Sequence, residues 1–143
     1  MFTVFARGLA ASLISVVAIA PALAGSRDVT MHVENNTSYD FTNLQLTHQQ
    51  VNIKYYSTTV TAGTTGTIKF DWDDNDAKHA KVEAVYTLPS DSNDLVKLHW
   101  EAEMENNYGK YKYTCSISQP NNVSSSHNDC ANPDPHFILK DKD

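Results

Sequence analysis

Residues 95–118 constrain the fold most, because two alternating runs face each other across a short polar turn. Val96, Leu98, Trp100, Ala102 and Met104 point one way, and Tyr111, Tyr113, Cys115 and Ile117 continue that face; Lys97, His99, Glu101, Glu103 and Glu105 point the other way. This is the period of a half-buried strand. Closing the turn at Asn106, Asn107, Tyr108 and Gly109 sets Glu105 opposite Lys110, Glu103 opposite Lys112, Met104 opposite Tyr111, Ala102 opposite Tyr113 and Trp100 opposite Cys115. A slip by one residue would bury Glu101, Glu103 and Glu105, so the register is strongly specified. The opposite charges across the ladder add about 0.2–1 kcal/mol per pair.

The same reading applies upstream. Val29, Met31 and Val33 alternate with Thr30, His32 and Glu34, up to a turn at residues 35–38. Phe41 to Thr47 forms a second strand whose phase Phe41 breaks, predicting a bulge near Thr42. Val51, Ile53 and Tyr55 point inward in a third strand, leaving Tyr56 outward. Val60 starts a short segment that ends at the glycines of residues 62–66. Ile68, Phe70 and Trp72, then Val82, Ala84, Tyr86 and Leu88, complete the strands before the hairpin. Residues 119–135 read as a long loop of Asn, Ser, Pro and Asp, after which Phe137, Ile138 and Leu139 return as an edge strand. No mature segment has helical periodicity over 11–18 residues. Strands about ten residues apart, punctuated by Gly, Asn, Asp and Pro, predict an all-β fold: a single antiparallel β-sandwich of about seven to eight strands.

The sandwich is expected to follow a secretory signal over residues 1–24. Arg7 supplies the charge, residues 9–20 the apolar core, and Ala22-Leu23-Ala24 the small-residue cleavage site. A retained N-terminal anchor is the competing reading, although Ser12, Ser15 and Pro21 make the run short for a span of about 20 residues. Residues 25–143 then form one domain. With 11 basic against 17 acidic residues, and no basic cluster longer than Lys110 and Lys112, a nucleic-acid partner is not expected. Cys115 and Cys130 are the two cysteines. In an oxidising compartment they most simply form one disulfide, worth on the order of 3 kcal/mol for a loop of about 15 residues. Free thiols or a metal pair is the alternative, with a spacing that matches no zinc pattern.

No nucleophile elbow, His-Glu-x-x-His or phosphate-binding Gly-rich loop is present, so the chain is expected to be no enzyme and to use no cofactor. The six histidines, at positions 32, 48, 79, 99, 127 and 136, show no local ligand spacing; His32 and His99 fall on polar strand faces. Asp71, Asp73 and Asn75 resemble the opening of a calcium loop, but Asp76 replaces its glycine and Val82 its closing glutamate. A solvated turn is the competing reading. Tyr55, Tyr86, Tyr111, Tyr113, Trp72 and Trp100 lie on expected core faces. Tyr39, Tyr56 and Tyr108 do not, which makes them the ligand-binding candidates: a ring with a polar tip suits a lipid headgroup or a sugar. Glycosylation sequons begin at Asn35, Asn36 and Asn122.

The order of features in residues 33–38, a strand pair, residues 60–70, residues 82–86 and Leu98-His99-Trp100 resembles the aegerolysin pattern and the broader actinoporin-like sandwich group. That resemblance spans about 70 residues and none of the family's lipid-contacting positions is carried over. It implies a secreted β-sandwich that binds membrane lipid and in some cases lyses cells with a partner protein. The alternative expectation is an exported protein- or glycan-binding module without lytic activity, binding a cell-surface ligand.

Overall fold

A computed structural model describes residues 26–74, 78–89, 94–105 and 110–143. The expected signal segment and the hairpin turn at residues 106–109 lie outside the described residues. Nine strands are present among them: β1 (Ser26–Asn36), β2 (Thr42–Gln49), β3 (Asn52–Tyr56), β4 (Thr64–Asp73), β5 (His79–Thr87), β6 (Leu95–Met104), β7 (Tyr111–Ser118), β8 (Val123–His127) and β9 (His136–Asp141). They form a five-stranded sheet in the order β3-β4-β1-β9-β8 and a four-stranded sheet in the order β2-β5-β6-β7. The two pack face to face as a β-sandwich, and the described residues contain no helix.

The hairpin has the expected register. Glu103 faces Lys112, Met104 faces Tyr111, Ala102 faces Tyr113 and Trp100 faces Cys115, and the Glu105 N–H donates to the Lys110 carbonyl at 2.8 Å. Alternation is equally clean in β1, β4 and β5, where every second residue is buried. Their inner faces meet in one core built around Trp100, Tyr86, Phe41, Phe70, Phe137, Met31 and Ile68. Each such side chain contributes about 1.5–3 kcal/mol by leaving water. Trp100 packs edge-on against Phe70 at 4.9 Å between ring centroids, and Trp72 against Tyr111 at 4.8 Å, a geometry that aromatic quadrupoles favour.

Three expectations are corrected. First, residues 119–135 are not all loop: β8 runs through them, with Val123 its one buried side chain. Its Ser-Ser-Ser centre shows no alternation because the strand is held by its pairing with β9. Second, β9 is not an edge strand. It lies between β1 and β8, parallel to β1 from His32↔His136 to Asn36↔Lys140, so the sandwich is not wholly antiparallel. Third, Tyr55 does not enter the core. A register shift between Ile53 and Tyr55 places Tyr55 opposite Lys69, on the outer face, and turns Tyr56 opposite the buried Ile68. The added bulge residue turns Tyr55 away from the inner face, while Tyr56, expected outward, is 46% exposed.

The bulge expected near Thr42 is present as a register shift between Thr42 and Gln45, with Asn43 in the left-handed region at φ 53°. Before it, the chain crosses from one sheet to the other, and Phe41 and Val60 exchange backbone hydrogen bonds of 2.9 and 2.8 Å. Asn35 secures this crossing. Wholly buried, it donates from Nδ2 to the Tyr39 and Val60 carbonyls at 2.8 and 2.9 Å and accepts at Oδ1 from the Thr37 N–H and hydroxyl at 3.0 and 2.6 Å. All four hydrogen-bonding positions of the amide are used.

Cys115 and Cys130 form a disulfide with a Cα–Cα separation of 5.8 Å. It joins β7, at the edge of the four-stranded sheet, to the segment between β8 and β9 in the other sheet, and so clips the sandwich shut along one side. That segment is also held by β1: the Thr30 and His32 N–H groups donate to the Pro133 and Pro135 carbonyls at 3.0 and 2.8 Å.

Candidate functional site

The exposed large apolar side chains among the described residues are Tyr55, Tyr56 and Leu95, and the two tyrosines are 54% and 46% exposed. Both lie on β3, an edge strand of the five-stranded sheet. Tyr55 shares the outer face with its cross-strand neighbour Lys69 and, beyond it, Thr30. Lys54, thrown to the same side by the bulge, pairs with Asp71 at 3.1 Å, and the Asp71 carboxylate raises its pKa. Beside them is an open depression of about 280 Å³ lined by Asp28, Thr30, Lys54 and Lys69. An aromatic ring with a hydroxyl tip next to two ammonium groups suits the boundary between an apolar phase and water.

The other candidates are scattered. Tyr39 is half-buried against the core, and its hydroxyl lies 3.5 Å from the Asn122 amide nitrogen. Tyr108 and Asn75 lie outside the described residues. Asp71 and Asp73 fall inside β4, where alternate residues of an extended strand stand about 6.6–6.8 Å apart, and Asp71 is engaged by Lys54. Among the described residues no three His, Cys, Asp or Glu side chains converge to hold a metal ion. Of the sequon residues, Asn36 and Asn122 are exposed, whereas the Asn35 amide is fully engaged inside.

The outer face of the four-stranded sheet carries a constellation that local spacing did not reveal. Cross-strand register brings Thr47, Glu83, His99 and Ser116 into one row and Gln49, Lys81, Glu101 and Thr114 into the next. Glu101 sits between two imidazoles: His99 Nε2 lies 2.8 Å from one carboxylate oxygen and His79 Nε2 contacts the other. Hydrogen bonds from His99 and then His79 hold the Glu101 carboxyl below its ordinary range. An open groove of about 310 Å³ follows these rows, lined by Thr47, His48, Gln49, Lys81, Glu83 and His99. The opposite sheet repeats the theme. His32 and His136 are cross-strand partners with ring centroids 5.4 Å apart, and His136 Nε2 lies 2.9 Å from Glu34. The Asn36 amide, followed by His136, lowers the Glu34 pKa. The histidines of each group are 20 and 104 residues apart in sequence, which is why a search for local ligand spacing passes over them.

Between the sheets, a cavity of about 100 Å³ is walled by Trp72, Trp100 and Tyr113 and closed by residues 130–133. Arg27 lies 6.0 Å over the Trp72 ring and pairs with Asp74 at 2.5 Å. This space is too small for a ligand of more than a few atoms. No protein-family model matches the chain, and no curated protein matches it.

Proposed function

We propose that the mature chain is an exported, non-enzymatic β-sandwich that binds membrane lipid, similar in kind to the aegerolysin and actinoporin-like proteins. The observation that carries this reading is the Tyr55–Lys54–Lys69 group on the outer face of β3 and β4. The tyrosine ring enters the headgroup region while the Lys69 ammonium group meets phosphate oxygens, with Lys54 held beside it by Asp71, a division of labour seen for aromatic and basic residues at membrane interfaces. Tyr56, half exposed at the same edge, adds apolar area. The disulfide supports export, since such bonds persist in oxidising compartments.

A second reading is favoured by a separate feature. The groove over Thr47, Gln49, Lys81, Glu83 and His99 presents donors and acceptors in alternation, the chemistry that holds a hydroxyl-rich glycan without lysis. Co-sedimentation of residues 25–143 with neutral, anionic and sphingolipid vesicles separates the two. Pelleting that falls at least tenfold in Tyr55→Ala, with unchanged melting, supports the lipid reading. No pelleting with any composition refutes it and leaves the glycan reading to be tested on a glycan array.

A further inference from the structure

A sandwich has two lateral sides, and here they differ. On one, β7 and β8 are bridged by Cys115–Cys130. On the other lie β2 and β3, the remaining edges of the two sheets, which follow each other in sequence. β3 is five residues long, bulged, and carries Lys54, all devices that discourage strand pairing. β2 has none of them beyond its first residues: it is eight residues long, with no charged residue and no proline. Residues 41–68 contain a single formally charged side chain, Lys54, in a chain that is 20% charged.

The start of β2 is covered, because the Leu44 N–H donates to the Thr58 carbonyl at 3.3 Å. That bond shows that the Leu44 N–H points away from β5. The Met104 N–H donates to the Lys78 carbonyl at 2.8 Å, so by register Val82 and Ala84 bond β6 while Lys81, Glu83 and Val85 bond Gln49, Thr47 and Gln45 of β2; the N–H and C=O groups of Leu46 and His48 then point away from β5, where no strand among the described residues receives them. Leu44 and Leu46 are themselves only partly buried against the core. The free stretch, Gln45-Leu46-Thr47-His48-Gln49, reads nearly alike in both directions around Thr47. Laid antiparallel on a copy of itself about Thr47, this stretch sets no like charges opposite one another.

We propose that β2 is a pairing edge and that its occupant is β2 of a second copy of this chain, laid antiparallel so that two four-stranded sheets join into one of eight strands. Thr47 of one copy then faces Thr47 of the other, Leu46 faces His48, and Gln45 faces Gln49. Leu46 and His48 form the hydrogen-bonded pairs, and Thr47 the non-hydrogen-bonded pair at the axis, with Cα atoms about 4.5 Å apart. Charge confines the contact of a second copy to this edge. Two chains of net charge −6 repel through most of their surfaces, and β2 brings no carboxylate of its own to the contact. Gln45 and Gln49 extend amides to each other on the outer face, while Leu44 and Leu46 lose exposure on the inner one. The contact is short and stands at the weak, transient end of interfaces, so it forms at high local concentration, as on a surface that gathers many copies.

The test is sedimentation equilibrium of residues 25–143 at concentrations up to about 1 mM, together with three variants. The expected wild-type result is a concentration-dependent dimer. His48→Pro removes an outward N–H without touching the bonds to β5, and Thr47→Lys sets like charges face to face; each is expected to weaken dimerisation at least tenfold. Should His48→Pro fail to fold by circular dichroism, Thr47→Lys decides the matter, since its side chain is exposed. Thr47→Cys is expected to give an intermolecular disulfide on a non-reducing gel, because a non-hydrogen-bonded pair has the Cα separation that a disulfide accepts. A monomer throughout, or a dimer indifferent to Thr47→Lys and uncrosslinked by Thr47→Cys, overturns the proposal. Neither outcome depends on whether the protein binds lipid.

Discussion

Replacing Asn35 tests whether the crossing between the sheets is held by one buried amide. In Asn35→Ala four hydrogen bonds disappear, but their partners are affected unequally. The Val60 carbonyl still accepts from the Phe41 N–H at 2.9 Å, and the Tyr39 carbonyl still accepts from the Thr37 hydroxyl at 3.1 Å. The Thr37 N–H, in a residue only 5% exposed, loses its acceptor. One orphaned buried donor costs about 1–3 kcal/mol, and the space left by the amide adds about 1 kcal/mol. The expected loss is about 3 kcal/mol, or roughly 10 °C in melting temperature for a domain of this size.

Asn35→Asp sharpens the test because it keeps the shape and both acceptor positions. It replaces the donor with a carboxylate oxygen facing the Tyr39 and Val60 carbonyls, and a buried charge beside two acceptors costs more than the missing amide. Asn35→Asp is therefore expected to be less stable than Asn35→Ala at pH 7. Burial raises the folded-state pKa of the introduced carboxyl above its unfolded value, so the folded state binds the extra proton. Its deficit shrinks as pH falls through the raised folded value toward about 3.9. Urea unfolding of both variants from pH 7 to pH 4, with the denaturant slope checked for constancy, measures this. A loss below about 0.5 kcal/mol in Asn35→Ala, the range of ordinary surface substitutions, would refute the reasoning, as would a pH-independent Asn35→Asp deficit.

Reducing Cys115–Cys130 should cost about 2–4 kcal/mol and expose residues 119–135 to protease before the hairpin; an unchanged melting temperature with two alkylated thiols would count against the clasp. Gly66→Ala should destabilise by about 1–3 kcal/mol, because its Cβ would stand 2.5 Å from Val60 Cγ2 and 3.1 Å from Ser57 Cβ; urea midpoints read this directly. Glu101→Gln should lower stability at neutral pH and converge with wild type in acid. The carboxyl of Glu101 is held below its ordinary range by His99 and His79, so its contribution is present above the unfolded value of about 4.3 and lost as pH falls through the lower folded one. A constant gap between pH 7 and pH 3 would contradict that sign.

Much of this protein was legible in the linear pattern, for a local reason. A period of two tells which side of a strand is buried whatever lies next to it, so the strands from Val29 to Ile117, the sandwich class and the Glu103–Lys112 register followed from residues close in sequence. The cysteine pair was equally plain, since two cysteines leave one pairing. What the pattern does not carry is which strands become neighbours. The parallel seating of β9 between β1 and β8 depends on pairings about 100 residues apart, and β8 is a strand because of its neighbour, its serines having no alternation to read. The bulge after Ile53 belongs to the fit between β3 and β4, yet it decides that Tyr55 faces solvent. Glu101 meets both His79 and His99 only because β5 and β6 are in register. Alternation is set by the chemistry of each side chain and can be read along the chain, as can the break in it that marks the bulge near Thr42; strand order, the β3 bulge and cross-strand clusters are set by the packing of distant segments, and only the tertiary structure decides them.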